Sequence, residues 1–259
     1  SMKWGICKLC LQEKNLCRES HIIPKFHYKF LYGQNHHLVL LNSERKEDKH
    51  NSEYEGNILC QLCEHETLGK LDNYAARLID DLFTTQRFFR SEQIDGRDFL
   101  VIENNPEYDY QRLKLFLLSL LWRASISSRP FFQTIKLDHK IEEDIRLMVL
   151  KSDPGEPSKY SCFINLPPFS ILSNGERVFS TLHMPVRSPR HIKKDEFEAY
   201  EFVIEGVHYY FLISHPKTRN VVPGVGKKKL SIGFARIQDQ EELIWESIQM
   251  IRNFKSKMR

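Results

Sequence analysis

Cys7-Lys8-Leu9-Cys10 and Cys60-Gln61-Leu62-Cys63 bracket the stretch Ser20-His21-Ile22-Ile23-Pro24-Lys25, and these three segments decide how the chain folds. Two Cys-x-x-Cys pairs supply four thiolates, a complete tetrahedral shell for zinc, and a closed shell of this kind is structural. Cys7, Cys10, Cys60 and Cys63 are therefore the expected zinc ligands. Residues 11–59 between the inner cysteines are longer than a short zinc-ribbon connection, so a folded insertion is expected between them. The bracketed His21 is the side chain of this group that could do chemistry.

Working outward, Leu68, Leu71, Tyr74, Ala75, Leu78 and Leu82 recur at helical spacing and predict a helix from Glu64 to about Thr85. The polar stretch Asn42–Gly56 has no apolar face to bury and reads as a loop. Asp95-Gly96 marks a turn before a short strand at Phe99–Ile102. A strongly apolar helix follows from Tyr108 to Ser127, ended by Arg129-Pro130, and a third covers Ile141–Leu150. Beyond Ser158 the period moves toward two, with β-prone runs at Ser161–Asn165, Phe169–Leu172, Arg177–Leu182, Ala199–Ile204, His208–Ile213 and Leu230–Ala235. Glu205-Gly206 joins the clearest hairpin, and a last helix is expected over Gln240–Phe254. The pattern predicts an α+β chain: a metal-held module over residues 1–90, then an α+β body over residues 91–259 built from helices, a mostly antiparallel sheet and a C-terminal helix.

With 259 residues and 41% hydrophobic content, the chain is long enough to bury a substantial core. Its net charge of +4 is mildly basic; it permits a polyanionic partner without requiring one. Six cysteines in a chain of this length do not make a disulfide scaffold, and Cys17 and Cys162 are left over once the pairs are assigned. No apolar run approaches a membrane span and no signal-peptide core follows Met2, so a cytoplasmic location is expected.

The ordered set Cys7-x-x-Cys10, Ser20-His21-Ile22-Ile23-Pro24-Lys25 and Gly56-Asn57-Ile58-Leu59-Cys60-x-x-Cys63-Glu64 resembles the HNH endonucleases, most closely bacterial HNH-like proteins with a Ser-His-Ile-Ile-Pro-Lys core and a Leu-Cys-x-x-Cys-Glu close. The similarity spans residues 6–76, with an echo at Leu120-Leu121-Trp122-Arg123. It implies a zinc-bound ββα-metal, treble-clef finger and hydrolysis of nucleic-acid phosphodiester bonds, with DNA as the first-ranked substrate. Such proteins act in restriction, mobile elements and defence. In that arrangement His21 would be the general base, with Asn57 and Glu64 as further catalytic positions. Magnesium or manganese, with Glu64 as a ligand, would stabilise the scissile phosphate, and Lys25 would contact a neighbouring phosphate. Two positions depart from the family pattern: Ser20 stands where an acidic or histidine ligand is common, and Glu64 where histidine or asparagine is common. Those departures favour the alternative, a catalytically degenerate treble-clef module that binds nucleic acid or protein.

Among the other polar residues, Glu19, His65 and Asp72 read first as solvated charges, as do His36, His37 and His50. Gly224-Val225-Gly226-Lys227-Lys228-Lys229 lacks the spacing of a phosphate loop. Arg252, Lys255, Lys257 and Arg259 suit either phosphate contact or a helix C-terminus. The densest basic patch outside the finger, with Arg187, Arg190, Lys193 and Lys194, is expected to be a loop facing nucleic acid. A protein partner or a homo-oligomer remains open.

Overall fold

The computed structural model describes residues 3–28, 38–41, 46–49, 54–166, 169–171, 177–179, 186–194, 197–204, 206–214 and 224–234. Among these, three helices, α1 (Gly69–Phe83), α2 (Tyr110–Ser125) and α3 (His139–Leu150), combine with a mostly antiparallel sheet in an α+β fold. The strands are β1 (Lys3–Ile6), β2 (Glu13–Leu16), β3 (Ser20–His21), β4 (Leu38–Leu41), β5 (Lys46–Lys49), β6 (Tyr54–Glu55), β7 (Arg90–Ile94), β8 (Arg97–Glu103), β9 (Ser161–Leu166), β10 (Phe169–Ile171), β11 (Arg177–Phe179), β12 (Val186–Lys194), β13 (Phe197–Ile204), β14 (Val207–Ser214) and β15 (Lys229–Phe234). Nine of them form one sheet in the order β5-β4-β12-β13-β14-β9-β15-β8-β7, while β1 pairs with β2, β3 with β6 and β10 with β11. Two pairings in the large sheet are parallel, β4 with β12 and β9 with β15.

At the centre is α2, apolar on every side, with Leu113 to Ala124 buried without a break. A helix hydrophobic all round has to be covered all round. Tyr200, Phe202, Ile204, Tyr209, Phe211 and Ile164 of the sheet share one buried cluster with α2, as do Leu71, Ala75, Leu78 and Leu82 of α1 and Ile145 and Val149 of α3. The Asp109 carboxylate starts α2 by accepting from the Arg112 N–H at 3.0 Å. Tyr74 ties α1 to that start, its hydroxyl accepting from Asp109 N–H at 2.7 Å and donating to Glu107 O at 3.1 Å. Buried Lys114 donates to the carbonyls of Pro157 at 3.2 Å and Lys159 at 2.8 Å, so its charge is solvated by backbone.

Several sequence expectations change. The helix predicted from Glu64 opens as a wider π-helical segment, Leu62–Leu68, in which Gly69 N–H donates to Glu64 O. Lys46–Lys49, read as loop, is β5, paired with β4 at the sheet edge, where a run of charges discourages further pairing. The Arg187–Lys194 patch is not a loop but most of β12, because β13 supplies hydrogen-bonding partners along it and β4 adds a second neighbour at Arg187. The β13–β14 hairpin has the expected place, with Gly206 at φ +77° in its turn. Asp95 at φ +49° and Gly96 at φ +73° give the β7–β8 hairpin the left-handed pair of a type I′ turn. The boundary expected at residue 90 falls at the start of β7, and the buried cluster continues across it from Cys7 to Ile232. The expected helix at 240–254, the terminal basic residues and His36, His37 and His50 lie outside the described residues. No helix among the described residues is long and apolar enough to cross a membrane.

Within the sheet, the buried Glu201 carboxylate accepts from Arg190 Nε at 2.6 Å and meets His208 Nδ1 at 2.8 Å. Burial pushes this carboxyl up, but His208, Arg190 and Tyr210 outweigh burial and hold it at about 2. A carboxyl depressed in the folded state contributes stability above its ordinary value of 4.5 and loses it as pH falls toward about 2. Glu201→Gln should lower unfolding free energy by roughly 2–4 kcal/mol at neutral pH, measured in urea. The difference from the parent should shrink as pH falls below about 4.

Candidate metal centre and adjoining histidine

Cys7 and Cys10 lie at the turn of the β1–β2 hairpin, where Cys7 N–H donates to Gln12 O at 3.0 Å and Leu11 N–H to Cys7 O at 2.8 Å. The second pair arrives on a segment laid against that hairpin. Lys8 N–H donates to Ile58 O at 2.9 Å, Cys17 N–H to Leu59 O at 2.8 Å and Asn57 N–H to Cys17 O at 2.8 Å. This close passage requires Gly56, since a Cβ there would run into the Arg18 carbonyl oxygen. Cys63 then enters at the first turn of the helical segment.

The four thiols converge, every Sγ lying within 4.8 Å of the other three. A tetrahedral zinc–thiolate shell has sulfur–sulfur edges of about 3.8 Å, so the four side chains fit an ion such as zinc with small rotations. Hydrogen bonding from the Cys63 thiol favours the Cys7 thiolate and lowers Cys7, while Cys63 is pushed up beside it. Two contacts pin the knuckle to the body: Arg146 of α3 donates to Leu9 O, and Lys8 Nζ donates to Ile126 O at 2.7 Å.

His21 occupies β3, which pairs with β6 through Ser20 opposite Glu55 and His21 opposite Tyr54. The Glu55 carboxylate accepts from Ser127 Oγ at 2.6 Å and from Ser128 N–H at 2.9 Å, anchoring β6 to the end of α2. Glu64, next to Cys63, takes the His21 backbone N–H on Oε1 at 3.2 Å, and His21 Nδ1 is 3.8 Å from the same oxygen. The His21 side chain is 34% exposed and the Glu64 side chain 10%. Glu64 Oε2 is buried with no hydrogen-bond partner among the described residues. Burial pushes the Glu64 carboxyl up, but His21 and the Arg123 guanidinium prevail and hold it below the ordinary carboxylate range.

Arg123, 1% exposed, sits behind this pair. Its guanidinium donates to His21 O at 3.2 Å, to both oxygens of Asp72 at 2.9 and 3.1 Å, and to Ser119 Oγ at 3.0 Å. Burial raises the Asp72 carboxyl while Arg123 opposes it. Nearby His27 is buried against Phe26, Phe116 and Tyr209, and burial with Arg123 lowers it to about 3, so it is neutral at pH 7.

The structure thus gathers His21, Glu64 and Asp72 around Arg123. Asn57 is exposed at φ +62°, and its N–H is committed to Cys17 rather than to this cluster. Lys25 is exposed in the 3-10 turn Lys25–Tyr28. Arg190 is bound to Glu201 in the sheet, while Lys193 is exposed on the same strand. Glu19 and His65 are exposed, in keeping with solvated charges, and Ser20 is fully buried. Sequence reasoning overlooked Arg123 as the organiser of the cluster, although an arginine in the apolar second half of a helix signals a buried charge that needs partners. Comparison of the chain with protein families, curated proteins and solved structures finds no match.

Metal analysis of the purified chain should find close to one zinc per chain, and Cys60→Ala with Cys63→Ala should abolish it and lower the melting temperature. Arg123→Ala should cost about 2–4 kcal/mol in urea unfolding, because half-buried Asp72 loses both of its guanidinium bonds and the His21 carbonyl loses its donor. Arg123→Lys should recover only part of that loss, since an ammonium cannot span both Asp72 oxygens and the His21 carbonyl.

Proposed function

We propose that the chain is a metal-dependent HNH-type endonuclease that hydrolyses nucleic-acid phosphodiester bonds, with the β1–β2 hairpin, β3, β6 and the helix after Cys63 forming a zinc-held ββα finger. The observation that carries this reading is the His21–Glu64 pair, presented at a helix mouth that four converging thiols hold in place. Zinc on the four cysteines would be structural, since a closed thiolate shell leaves no open position for substrate. His21 offers a partly exposed imidazole whose Nδ1 faces Glu64, leaving Nε2 to accept a proton from water attacking phosphorus. A proton delivered from solvent would complete departure of the leaving oxygen.

Glu64 Oε2, buried and without a partner among the described residues, is a hard oxygen donor suited to magnesium or manganese. When bound there, such an ion would neutralise charge on the scissile phosphate. Ser20 supplies no carboxylate, so water and substrate phosphate oxygens would fill the remaining positions. Lys25 and Lys193 are exposed cations available for backbone phosphates.

One observation favours a second reading. Asp72, the carboxylate that shares Arg123 with the His21 carbonyl, has both oxygens on the guanidinium, so Glu64 and Asp72 together offer a hard cation a single free carboxylate oxygen. A degenerate treble-clef module that binds nucleic acid or protein would have this character. Plasmid nicking with magnesium or manganese added or withheld separates the two. The nuclease reading expects metal-dependent cleavage that falls by about 10²–10⁴-fold in His21→Ala with zinc content retained. Cleavage that survives intact in His21→Ala removes the proposed base, and absence of cleavage from both proteins on single- and double-stranded DNA and RNA favours the binding module.

A further inference from the structure

Five large apolar side chains are exposed among the described residues, and four of them belong to the knuckle: Trp4 at 59%, Ile6 at 65%, Leu11 at 56% and Leu62 at 58%. Ile6, Leu11 and Leu62 are chain neighbours of Cys7, Cys10 and Cys63, whose thiols converge, so these three side chains flank the candidate metal centre. Side chains of this size and exposure present on the order of 400 Å² of apolar surface, the scale that marks an interaction site and could form the apolar centre of one side of a standard interface.

The backbone beneath the patch is also unfinished. Among the described residues β1 pairs only with β2, leaving its other edge open. Cys7 N–H points to Gln12 O, so by antiparallel alternation Gly5 and Lys3 also direct their main-chain groups to β2. The N–H and C=O groups of Trp4 and Ile6 therefore face the open edge. Natural edge strands are usually protected by charge, proline or a bulge; β1 carries one charge, Lys3 at its start, and Trp4-Gly5-Ile6 has none of these.

This edge is self-complementary. Two copies laid antiparallel about a twofold axis at Gly5 set Trp4 of each opposite Ile6 of the other. Those are the residues whose main chains point outward, so each Trp–Ile pair exchanges two hydrogen bonds, four in all. Aromatic opposite β-branched is a favourable cross-strand pair, and no like charges meet. Gly5 meets Gly5 of the second copy at the axis, at the narrow spacing of about 4.5 Å, with no side chain to obstruct it. We propose that the protein forms a twofold dimer through β1, joining two hairpins into a four-stranded β2-β1-β1-β2 sheet between two metal-held knuckles. The dimer does not depend on the nuclease reading. Only its consequence does: two His21 sites related by the axis would address the two strands of one duplex.

Sedimentation of the full zinc-loaded chain should give twice the 30.8 kDa chain mass at tens of micromolar. Trp4→Lys with Ile6→Lys should give the single-chain mass, with zinc content and far-UV circular dichroism unchanged. Ile6→Pro removes an outward-facing N–H and leaves the inward ladder intact, and should weaken association at least about tenfold. Amide exchange, which needs no substitution, should show residues 4–6 protected at high concentration and exchanging freely on dilution. A wild-type chain that stays monomeric to about 100 µM overturns the proposal, as does a dimer that persists in both variants or exchange at residues 4–6 that ignores concentration. A monomer that binds single-stranded oligonucleotide through Trp4 would assign the patch to base stacking instead. Failed DNA cleavage with dimerisation intact would overturn the nuclease reading alone.

Discussion

The arrangement around the site depends on one buried cation. The Arg123 guanidinium sits within α2, 1% exposed, and uses its donors on three parts of the chain far apart in sequence: the His21 carbonyl, the Asp72 carboxylate and Ser119 on its own helix. A charge taken out of water loses about as much hydration energy as it regains by pairing, so such a fork adds little net stability. What it supplies is position. Any arrangement that moves β3 or α1 relative to α2 leaves a guanidinium or a carboxylate unpaired inside the core, and that cost selects one geometry over many compact alternatives.

Glu64 links this fork to the thiol cluster. It follows Cys63 directly, so the cysteine-bearing turn and the carboxylate that receives the His21 N–H move as one piece. Within the wider π-helical turn between Leu62 and Leu68, adjacent residues carry a buried cysteine and a glutamate that bonds β3. Order at the cysteines is thereby passed to His21 through backbone rather than through the imidazole, which keeps its ring half in solvent.

The cysteine pairs and helical periodicities were legible because each is a local pattern with one physical reading: two identical short spacings bring four thiols together, and a 3.6-residue apolar period buries one face. The β13–β14 hairpin was legible for the same reason, alternation on either side of a glycine. Features that depend on distant partners were not. Lys46–Lys49 has no strand signature of its own and is a strand only because β4 lies beside it. Arg190 in a basic run looks like a phosphate ligand until the buried Glu201 claims it from the next strand. The role of Arg123 was hidden likewise, since its partners are 51 and 102 residues away.

The path of the large sheet has a consequence for how the chain is completed. Its two parts, β7–β8 on one side and the run from β9 to β5 on the other, touch through β15 alone, which pairs antiparallel with β8 and parallel with β9. Lys229 at its start reinforces the joint by bonding Glu92 of β7 at 2.6 Å. β15 is also the last described element of the chain. On a ribosome, the thiol knuckle, α1 and α2 emerge well before it, and β8 waits with one edge unpaired until more than a hundred further residues have been made. This last described strand is the keystone of the described sheet, and a nascent chain halted before Lys229 leaves the edges of β8 and β9 that it would cover unpaired at once.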